Sequence, residues 1–289
     1  MKSALQKSPI PETRAYLAKT LNEAVFDPHW HFHSEYQLFM VLKGSGTRFI
    51  GDSVKSYKPG DITFTGPNLP HLWRSDETNE QELNIAWSEG VVVYFKEDFF
   101  SNKLIDSEEA IRIRQIFHKS LRGMEFKGQT ALTLKSLMQE LVPMRGFKGV
   151  LQLMRILDVI SRSKDYNLLA SPGYSNTLRE ADTERMYKVY AFVMNHFKEK
   201  MSIAQLAQLT NMTPTSFSRY FKVHANKSFS DFVSEIRIGH ACKLLIEAKM
   251  NVSQACYESG FQTLSNFNKQ FKAITKRTPL AYKKEYEVY

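Results

Sequence analysis

The sequence predicts an α+β protein in which a β-rich N-terminal domain with accessory helices precedes an all-α C-terminal domain. From about residue 24 to 95, short runs rich in Phe, Val, Ile, Tyr and Trp are broken by Gly, Pro, Asn and Asp, as in small sandwiches and barrels. From about residue 106 the apolar residues recur at helical spacing. A third observation, the distribution of charge, separates the two halves of the chain.

The N-terminal part is divided into strands by hairpin-type turns at residues 43–46 and 51–52. The runs predicted as strands are 35–44, 46–53, 61–68, 84–89 and 90–95. We expect this domain to cover residues 1–100, a region of amphipathic helices to cover 101–169, and the polar segment 170–183 to be a linker. The remainder, 184–289, is predicted to be helices and short turns.

Composition excludes several classes of protein. The chain has 289 residues, 43% hydrophobic and 24% charged, as in a soluble globular protein of about two domains. No apolar run reaches the roughly 18 residues of a membrane helix, and the first residues lack the apolar stretch of a secretory signal. Cys242 and Cys256 give neither a disulfide framework nor zinc-ligand spacing. We therefore expect a cytoplasmic protein with no membrane partner.

Charge is segregated along the chain. Residues 1–184 contain 23 Lys/Arg and 23 Asp/Glu, a net charge of 0, whereas residues 185–289 contain 16 Lys/Arg and 7 Asp/Glu, a net charge of +9. A segregated basic segment indicates a polyanionic partner, most often nucleic acid. On charge alone, a merely basic helical domain is an equal alternative.

The basic segment contains an internal repeat. Residues 202–207 (SIAQLA) run parallel to residues 251–256 (NVSQAC), 49 positions further on, and after a one-residue insertion the offset becomes 50. Each copy has a capping residue, a short helix with small residues, a turn and a second cap, which is the pattern of a helix-turn-helix. The pairs matched at the offset of 50 are Phe217 with Phe267, Phe221 with Phe271, and Lys222 with Lys272.

The second helix of each copy is predicted to meet double-stranded DNA with its outward residues. Arg can bond a guanine bidentately and Asn an adenine, whereas Ser, Thr and Lys mostly hold phosphates. A solvated helix face is the alternative, but two such faces inside the basic segment favour DNA. The helix that connects the copies lies within 229–248, and its about 18 helical residues span about 27 Å, near the roughly 34 Å between successive major-groove openings. The predicted contacts are Thr215, Ser218, Arg219, Lys222, Leu264, Ser265, Asn266, Asn268 and Lys269.

The second copy resembles a known signature. Residues 255–272 (ACYESGFQTLSNFNKQFK), followed by KRTP at 276–279 and Tyr282-Lys283, are similar to the pattern of AraC/XylS-type transcription regulators. That pattern is small-x-x-x-Ser/Ala-Gly-Phe, then Ser-x-Phe-x-Arg/Lys-x-Phe-Lys, then Gly-x-Thr-Pro and Tyr-Arg. The resemblance covers about 100 residues and extends to the connecting helix, at Arg237, Ala241, Leu244 and Leu245.

The resemblance has departures and implications. Lys276 and Asn226 stand where the family usually has Gly, and Phe229 stands where the first unit usually has Pro. The resemblance implies a DNA-binding domain at 184–289 with two helix-turn-helix motifs that activates or represses promoters, with RNA polymerase as a further partner. It also implies a homodimer held by helices of the region 101–169, whose alternative role is simply to cover the barrel.

The N-terminal half carries a group of histidines. His31 and His33, and His71 after a Pro-rich turn, resemble the two motifs of the cupin barrel. Gln37 stands where the cupin pattern has Glu, and Glu35 is a nearby carboxylate. Imidazoles in this pattern bind Fe, Mn, Ni or Zn in metal cupins, contact an organic effector, or are structural. Because Gln is a poor substitute for an anionic ligand, we predict neither a metal, nor a cofactor, nor an enzyme.

A cupin-like barrel would bind a ligand in its interior. We predict a small polar effector, a sugar or similar molecule, contacted by aromatic faces and by Arg and His donors. The candidate lining residues are Trp30, His31, His33, Arg48, His71, Trp73 and Trp87. The sequence therefore predicts an effector-controlled DNA-binding regulator, and the alternatives are a metal-dependent cupin enzyme fused to a DNA-binding domain and a regulator that needs no effector.

Overall fold

The computed structural model describes residues 10–27, 29–75, 88–174, 180–246 and 250–286; the side chains of residues 97, 180, 181, 183 and 286 are not described. The chain divides into two units, one of residues 1–53 and 57–180 and the other of residues 181–289 with 54–56. Within the described ranges, no helix is long and apolar enough to cross a membrane.

The first unit is built on two sheets of β-branched and aromatic residues. A six-stranded sheet has the order β1-β7-β2-β5-β8-β9, and a three-stranded sheet has the order β4-β3-β6. The strands are β1 (Tyr16–Glu23), β2 (Tyr36–Lys43), β3 (Gly46–Ile50), β4 (Ser53–Tyr57), β5 (Ile62–Thr65), β6 (His71–Ser75), β7 (Ser88–Phe95), β8 (Met124–Phe126) and β9 (Tyr166–Leu168).

Side-chain alternation gives the larger sheet two different faces. Leu38 and Met40 of β2 belong to one apolar cluster, and Phe39 and Val41 belong to another. The first cluster is completed by helices, and the second by residues of the smaller sheet such as Ile50. Because successive residues of a strand point to opposite sides, both faces of β2 are covered and the interior lies between the two sheets.

Four helices follow the main strands: α1 (Asn102–Ile105), α2 (Ile111–Ser120), α3 (Gly128–Leu141) and α4 (Phe147–Arg162). Buried leucines and isoleucines of α3 and α4, such as Leu134 and Ile156, pack on the outer face of the larger sheet. The accessory helices therefore cover the sheet as part of the same unit.

The strands differ from the sequence prediction at several places, and β4 and β6 lie almost entirely outside the predicted runs. β1 begins at Tyr16, before the predicted β region, and β8 and β9 lie inside the region predicted as helical. Strands of three residues are too short to show a periodicity, so their pairing is decided by the sheet edge they join. The predicted runs 84–89 and 90–95 meet in one strand, β7, and residues 84–87 lie outside the described residues.

Over their described positions, residues 181–289 of the second unit form helices and short turns, and together with the strands of the first unit this confirms the predicted α+β class. Its helices are α5 (Glu180–His196), α6 (Ile203–Leu209), α7 (Pro214–Ala225), α8 (Phe229–Ile246), α9 (Val252–Glu258), α10 (Leu264–Thr275) and α11 (Pro279–Tyr286).

Candidate DNA interface and candidate effector cavity

The first helix-turn-helix is α6, its turn and α7. Ser202 and Gln205 form a reciprocal capping box at the start of α6. Asn211 takes the left-handed conformation in the turn, with φ of 55°. Thr213 then accepts a hydrogen bond from the backbone N–H of Ser216 at 3.2 Å, and Pro214 occupies the first turn of α7. Local sequence signals therefore define both ends of the turn.

The second helix-turn-helix, α9 to α10, repeats these devices. Asn251 and Gln254 form the capping box, Gly260 takes the turn with φ of 84°, and Thr263 accepts from the backbone N–H of Asn266 at 3.3 Å. The two copies therefore share their caps and a left-handed turn residue, although the first cap (Ser202, Asn251) and the turn residue (Asn211, Gly260) differ in type.

The same buried rings hold both second helices. Phe217 and Phe221 of α7 lie with ring centroids 5.8 Å apart, and Phe267 and Phe271 of α10 lie 5.5 Å apart. All four rings are fully buried. A third ring follows in each copy, with Phe232 at 5.3 Å from Phe221 and Tyr282 at 5.5 Å from Phe271. The anchors fix which side of α7 and of α10 faces solvent.

The first unit contains a cavity of about 400 Å³ beside β1, β2 and β7. That volume lies in the range of small-molecule sites. Its lining combines aromatic rings with hydrogen-bonding side chains, both acidic and basic. The lining residues are Lys19, Leu21, Glu23, Val25, Phe26, Asp27, His29, His31, Gln37, Phe39, Trp73, Val92 and Tyr94.

Two polar groups of the cavity have a defined ionisation. Burial alone would raise the pKa of Asp27, but hydrogen bonds from His29 outweigh burial and lower it, so Asp27 is anionic. Burial raises the pKa of Tyr94, so that its hydroxyl stays protonated. The cavity therefore offers an ionised acceptor and a neutral hydroxyl.

His31, His33 and His71 come together at the cavity. One ring nitrogen of each lies within 4.8 Å of those of the other two. Each Nδ1 donates to a backbone carbonyl: that of His29 at 2.7 Å, of Glu35 at 3.0 Å and of Leu69 at 2.7 Å, respectively. With Nδ1 protonated in a neutral ring, each Nε2 keeps a lone pair.

Burial keeps these imidazoles neutral. Desolvation lowers the pKa of His31 to about 4, and it also lowers the pKa of His33 and of His71. The Nε2 of His33 lies 3.1 Å from the side-chain amide of Gln37. The Gln37 atom that faces this nitrogen is Oε1, so a neutral His33 that donates through Nδ1 requires the amide to be flipped, with its NH2 group toward the ring.

The three imidazoles fit a divalent transition metal in their donor chemistry. Metal-binding histidines commonly donate their second nitrogen to a backbone carbonyl, as all three do. Glu35 is fully buried, and its two carboxylate oxygens have no hydrogen-bond partner among the described residues. One of these oxygens lies 3.6 Å from His33 Nδ1. The cluster could therefore hold a metal through His31, His33 and His71, or accept hydrogen bonds from an organic ligand.

Comparison with known proteins matches each unit to a family. The helix-turn-helix domain family matches residues 206–285, and the cupin domain family matches residues 21–87. The uncharacterized HTH-type transcriptional regulator YdeC of Bacillus subtilis strain 168 is 21% identical over 257 residues, which are 88% of this chain and 85% of YdeC. The chain is a helix-turn-helix transcription regulator of the AraC type with a cupin domain.

Two further proteins are similar to the regulator. YobQ, another uncharacterized HTH-type transcriptional regulator of the same Bacillus strain, is 26% identical over 39% of this chain and 50% of its own length. Among solved structures, ToxT from Vibrio cholerae O395 aligns over 95% of this chain and 99% of that chain, with 12% identity and a TM-score of 0.38.

All nine predicted DNA contacts of the regulator lie on α7 and α10 and are exposed. Thr215, Arg219 and Lys222 follow at intervals of four and three residues and therefore share one face of α7. Ser218 lies at the edge of that face, where its hydroxyl donates to the carbonyl of Pro214 at 2.9 Å. On α10, Ser265 and Lys269 occupy the corresponding face, Leu264 and Asn266 lie in the first turn, and Asn268 lies at the edge.

Lys272 is an exposed residue of this face that the predicted contacts omit. It follows Lys269 by three residues on α10 and occupies the position of Lys222 in the first copy. The repeat offset of 50 residues contained the signal, because it matches Lys222 with Lys272 directly.

The predicted effector contacts are only partly brought together. His31 and Trp73 line the cavity, and the rings of His33 and His71 lie behind His31 at 6.1 and 4.6 Å. Trp30 is buried with its ring edge against Phe49 rather than in the cavity lining. Trp87 lies outside the described residues.

Arg48 requires a correction, because it does not line the cavity. Its guanidinium is buried, ion-paired with Glu125 of β8, and 3.8 Å from the carboxylate of Asp61. A buried arginine with two carboxylates close by has its charge compensated within the protein. It is therefore a structural ion pair between strands of the two sheets.

Tyr94, Gln37 and Phe39 are cavity residues that the sequence interpretation missed. Tyr94 pairs directly with Gln37 across β7 and β2, so both side chains project from the same face. Strand alternation placed them on one face, but which face is interior depends on where the helices pack.

Proposed function

We propose that the regulator reads two adjacent major-groove segments of double-stranded DNA with α7 and α10. The observation that carries this proposal is that α7 and α10 expose equivalent faces. On its opposite side, each helix packs through an equivalent pair of buried phenylalanines. The excess charge of residues 185–289 would supply sequence-independent attraction to phosphates.

The exposed residues suggest a division of labour on DNA. Arg219 has the donor fork that fits guanine, and Asn266 and Asn268 have amides that fit adenine. Leu264, 36% exposed at the first position of α10, offers an apolar contact for a thymine methyl group. Lys222, Lys269 and Lys272 are suited to phosphates, which position the protein without specifying sequence.

Selection from a pool of random 30-base-pair duplexes with the full chain tests this proposal. We expect enrichment of a motif with two conserved segments about one helical turn apart. Enrichment of a single segment, or of none, would contradict the use of both helices. An enriched duplex also supplies the probe for the predictions made below.

We further propose that the cavity of the first unit binds a small polar organic effector, such as a sugar. Support comes from its mixed lining: the rings of Trp73, Phe39 and Tyr94 offer flat apolar faces, and Gln37 and Asp27 offer hydrogen-bonding groups. Such a combination suits a molecule with hydroxyl groups on a ring that has an apolar face.

Residues 169–174, a segment that we call the strap, would connect the cavity to the chain that leaves the first unit. Trp73 and Phe39 belong to one buried cluster with Leu169, and Tyr174 packs against that cluster. The backbone N–H groups of residues 169–171 each donate a hydrogen bond: Leu169 to the Gly123 carbonyl at 2.9 Å, Ala170 to the Arg122 carbonyl at 2.8 Å and Ser171 to Asp52 Oδ1 at 2.9 Å. The proposed control is that effector binding favours one packing of this strap over another.

A thermal-shift screen of the full chain against mono- and oligosaccharides tests the effector proposal. A ligand at about 100 times its Kd adds roughly 2.7 kcal/mol to stability. We expect Gln37→Leu to abolish the shift, whereas Gln139→Leu, an exposed position on α3, should retain it. A shift retained by Gln37→Leu would place the ligand elsewhere, and no shift across the panel would favour a regulator that needs no such effector.

The histidine cluster supports a second candidate function, a metal-dependent cupin enzyme joined to the DNA-binding unit. His31, His33 and His71 would hold the ion, which would act as a Lewis acid with open coordination positions. Metal analysis of protein purified without chelators discriminates between the candidates. Stoichiometric Fe, Mn or Ni would support the enzyme, and metal-free protein that still binds DNA would exclude it.

We also propose that the regulator is a cytoplasmic homodimer that contacts or blocks RNA polymerase at its promoters. Support for the dimer lies on α4, where Phe147 and Leu151 are 71% and 53% exposed. Arg155 and Asp158 are also exposed on this helix, so an antiparallel copy could pair Arg155 with the partner's Asp158. We expect Leu151→Glu to sediment as a monomer and Leu132→Glu, an exposed position on α3, to remain dimeric. A wild-type chain that is monomeric at micromolar concentration would contradict the dimer.

A further inference from the structure

We infer that Arg237 is a positioning residue that fixes the second helix-turn-helix against the first, and so sets the spacing of the two DNA segments that the regulator accepts. The inference rests on the proposed use of both α7 and α10. Arg237 lies on α8, the helix that connects the two copies, and its side chain is half-buried rather than directed to a DNA-facing surface.

The Arg237 guanidinium binds the segment that leads into the first copy, residues 197–199, which we call the entrance segment. Its Nε donates to the carbonyl of Phe197 at 2.6 Å, and its Nη2 donates to the carbonyl of Glu199 at 2.7 Å. These carbonyls belong to the segment between α5 and α6. The Phe197 ring also lies edge-on to His240, one turn further along α8, with ring centroids 5.2 Å apart. The entrance segment is therefore fastened to α8 at two points.

The same guanidinium also contacts the turn of the second copy. Its central carbon lies 5.8 Å from the ring centroid of Phe261, the residue after the turn glycine. Phe261 is buried, and its ring stands edge-on to Phe267, the anchor of α10, at 5.3 Å. A cation over an aromatic face is attractive, so this contact joins Arg237 to the start of α10.

Gly260 of the second copy lies against the segment that leads into the first copy. A Cβ at this position would lie 2.7 Å from both the Cα and the carbonyl oxygen of Lys198, which is in the same entrance segment. Its φ of 84° also favours glycine. Residues 197–199, which lead into the first copy, residues 260–261 of the second copy and Arg237 between them form one joint, which we call the inter-copy joint.

A rigid inter-copy joint would restrict the spacing of the two DNA segments, because the major groove turns around the duplex as it advances along it. Each base pair added between two half-sites moves the second segment by about 3.4 Å and rotates it by about 34° around the duplex. A joint that holds α7 and α10 rigidly accepts one spacing, whereas a loosened joint accepts several at lower affinity. A guanidinium that merely caps the end of α5 would contribute stability without selecting a spacing.

Spacing variants of the selected duplex distinguish these two roles. The probes are the selected duplex and derivatives with one base pair inserted or deleted between the conserved segments. Full-length wild type should lose at least tenfold in affinity on each derivative. Arg237→Gln should bind the selected duplex more weakly and discriminate among the three probes less than about threefold, and Arg237→Lys should be intermediate.

Two further variants separate positioning from folding. Gly260→Ala leaves Arg237 in place but forces the joint apart, so it should relax spacing in the same way. Asn251→Ala removes the cap of α9 and lowers stability without touching the joint, so it should keep the wild-type spacing ratio. The inference is overturned if Gly260→Ala and folded Arg237 variants keep the wild-type ratio. If wild type itself selects no two-segment site, the proposed use of both helices fails instead.

Discussion

Asn226 and Lys276 occupy the same position 50 residues apart, and both adopt the left-handed conformation, with φ of 53° and 63°. Each ends the second helix of its helix-turn-helix, α7 in the first copy and α10 in the second. The backbone geometry of the helix end is therefore retained in both copies, although neither residue is the glycine that this conformation favours.

We expect Lys276→Gly to stabilise the second unit. A non-glycine residue in the left-handed region costs roughly 1–2 kcal/mol, which the larger chain entropy of glycine partly offsets, so the net gain should be about 0.5–1 kcal/mol. Urea unfolding of the full chain measures it. Asn226→Ala is the opposite control and should be destabilising, because alanine tolerates positive φ less well than asparagine. A Lys276→Gly protein less stable than wild type would contradict the expectation.

Arg219→Ala should cost roughly 1–3 kcal/mol of site-specific binding and relax specificity at one base pair, since a bidentate arginine–guanine contact is lost. Titration of the selected duplex and of its three substitutions at each conserved position measures both effects. Arg112→Ala, an exposed arginine of α2, is the matched control and should bind as wild type does. An Arg219→Ala protein with an unchanged sequence preference would contradict the assignment of Arg219 as a base contact.

The double variant Lys222→Ala with Lys272→Ala should weaken the salt dependence of DNA binding. The slope of log K against log salt should become less negative by about 2, because each phosphate contact contributes about 0.9. The base preference should stay the same. Affinities between 50 and 200 mM salt give the slope, with Lys135→Ala of α3 as the control. If the double variant keeps the wild-type slope, these lysines do not hold phosphates.

The stability of the first unit should fall as the pH drops below about 6.5. His31, with its pKa lowered to about 4, stays neutral in the folded state while the unfolded chain takes up a proton. The contribution of neutral His31 to the free energy of unfolding, about 3 kcal/mol, is therefore fully present above the pKa of histidine in the unfolded chain. It is lost as the pH falls toward 4. Urea unfolding between pH 7.5 and 4.5 with a chelator present measures the loss. His31→Gln should reduce the slope, and an equal slope in both proteins would refute this cause.

Arg48→Met should destabilise the first unit by about 3–5 kcal/mol, because it leaves Glu125 buried without its main partner. The double variant Arg48→Met with Glu125→Leu should recover most of that loss, since both charges are then removed. Thermal unfolding of the two variants and wild type tests this. If Arg48→Met is as stable as wild type yet loses the effector shift, Arg48 belongs to the effector site after all.

The DNA-binding half was largely predictable because its signals are local. Caps, turn residues and a 3.6-residue period act within a few positions of each other, so the repeat predicted helices, turns and exposed faces together. The joint around Arg237 was not predictable in the same way. It depends on contacts between residues about 40 positions apart, and no periodicity reports such contacts.

In the first unit, short apolar runs and turn residues indicated strands, and the resemblance to the cupin motifs grouped His31, His33 and His71, which the structure places in one cluster. Spacing did not indicate that Arg48 pairs with Glu125, that Tyr94 and Gln37 line the cavity, or that β8 and β9 extend the sheet.

The sequence by itself thus determined the two helix-turn-helix motifs, the basic second half and the β-rich first half. Each of these follows from the chemistry of neighbouring residues or from composition. Only the tertiary structure decided which strand face is interior and which buried charge has a partner, because those depend on which distant elements pack together.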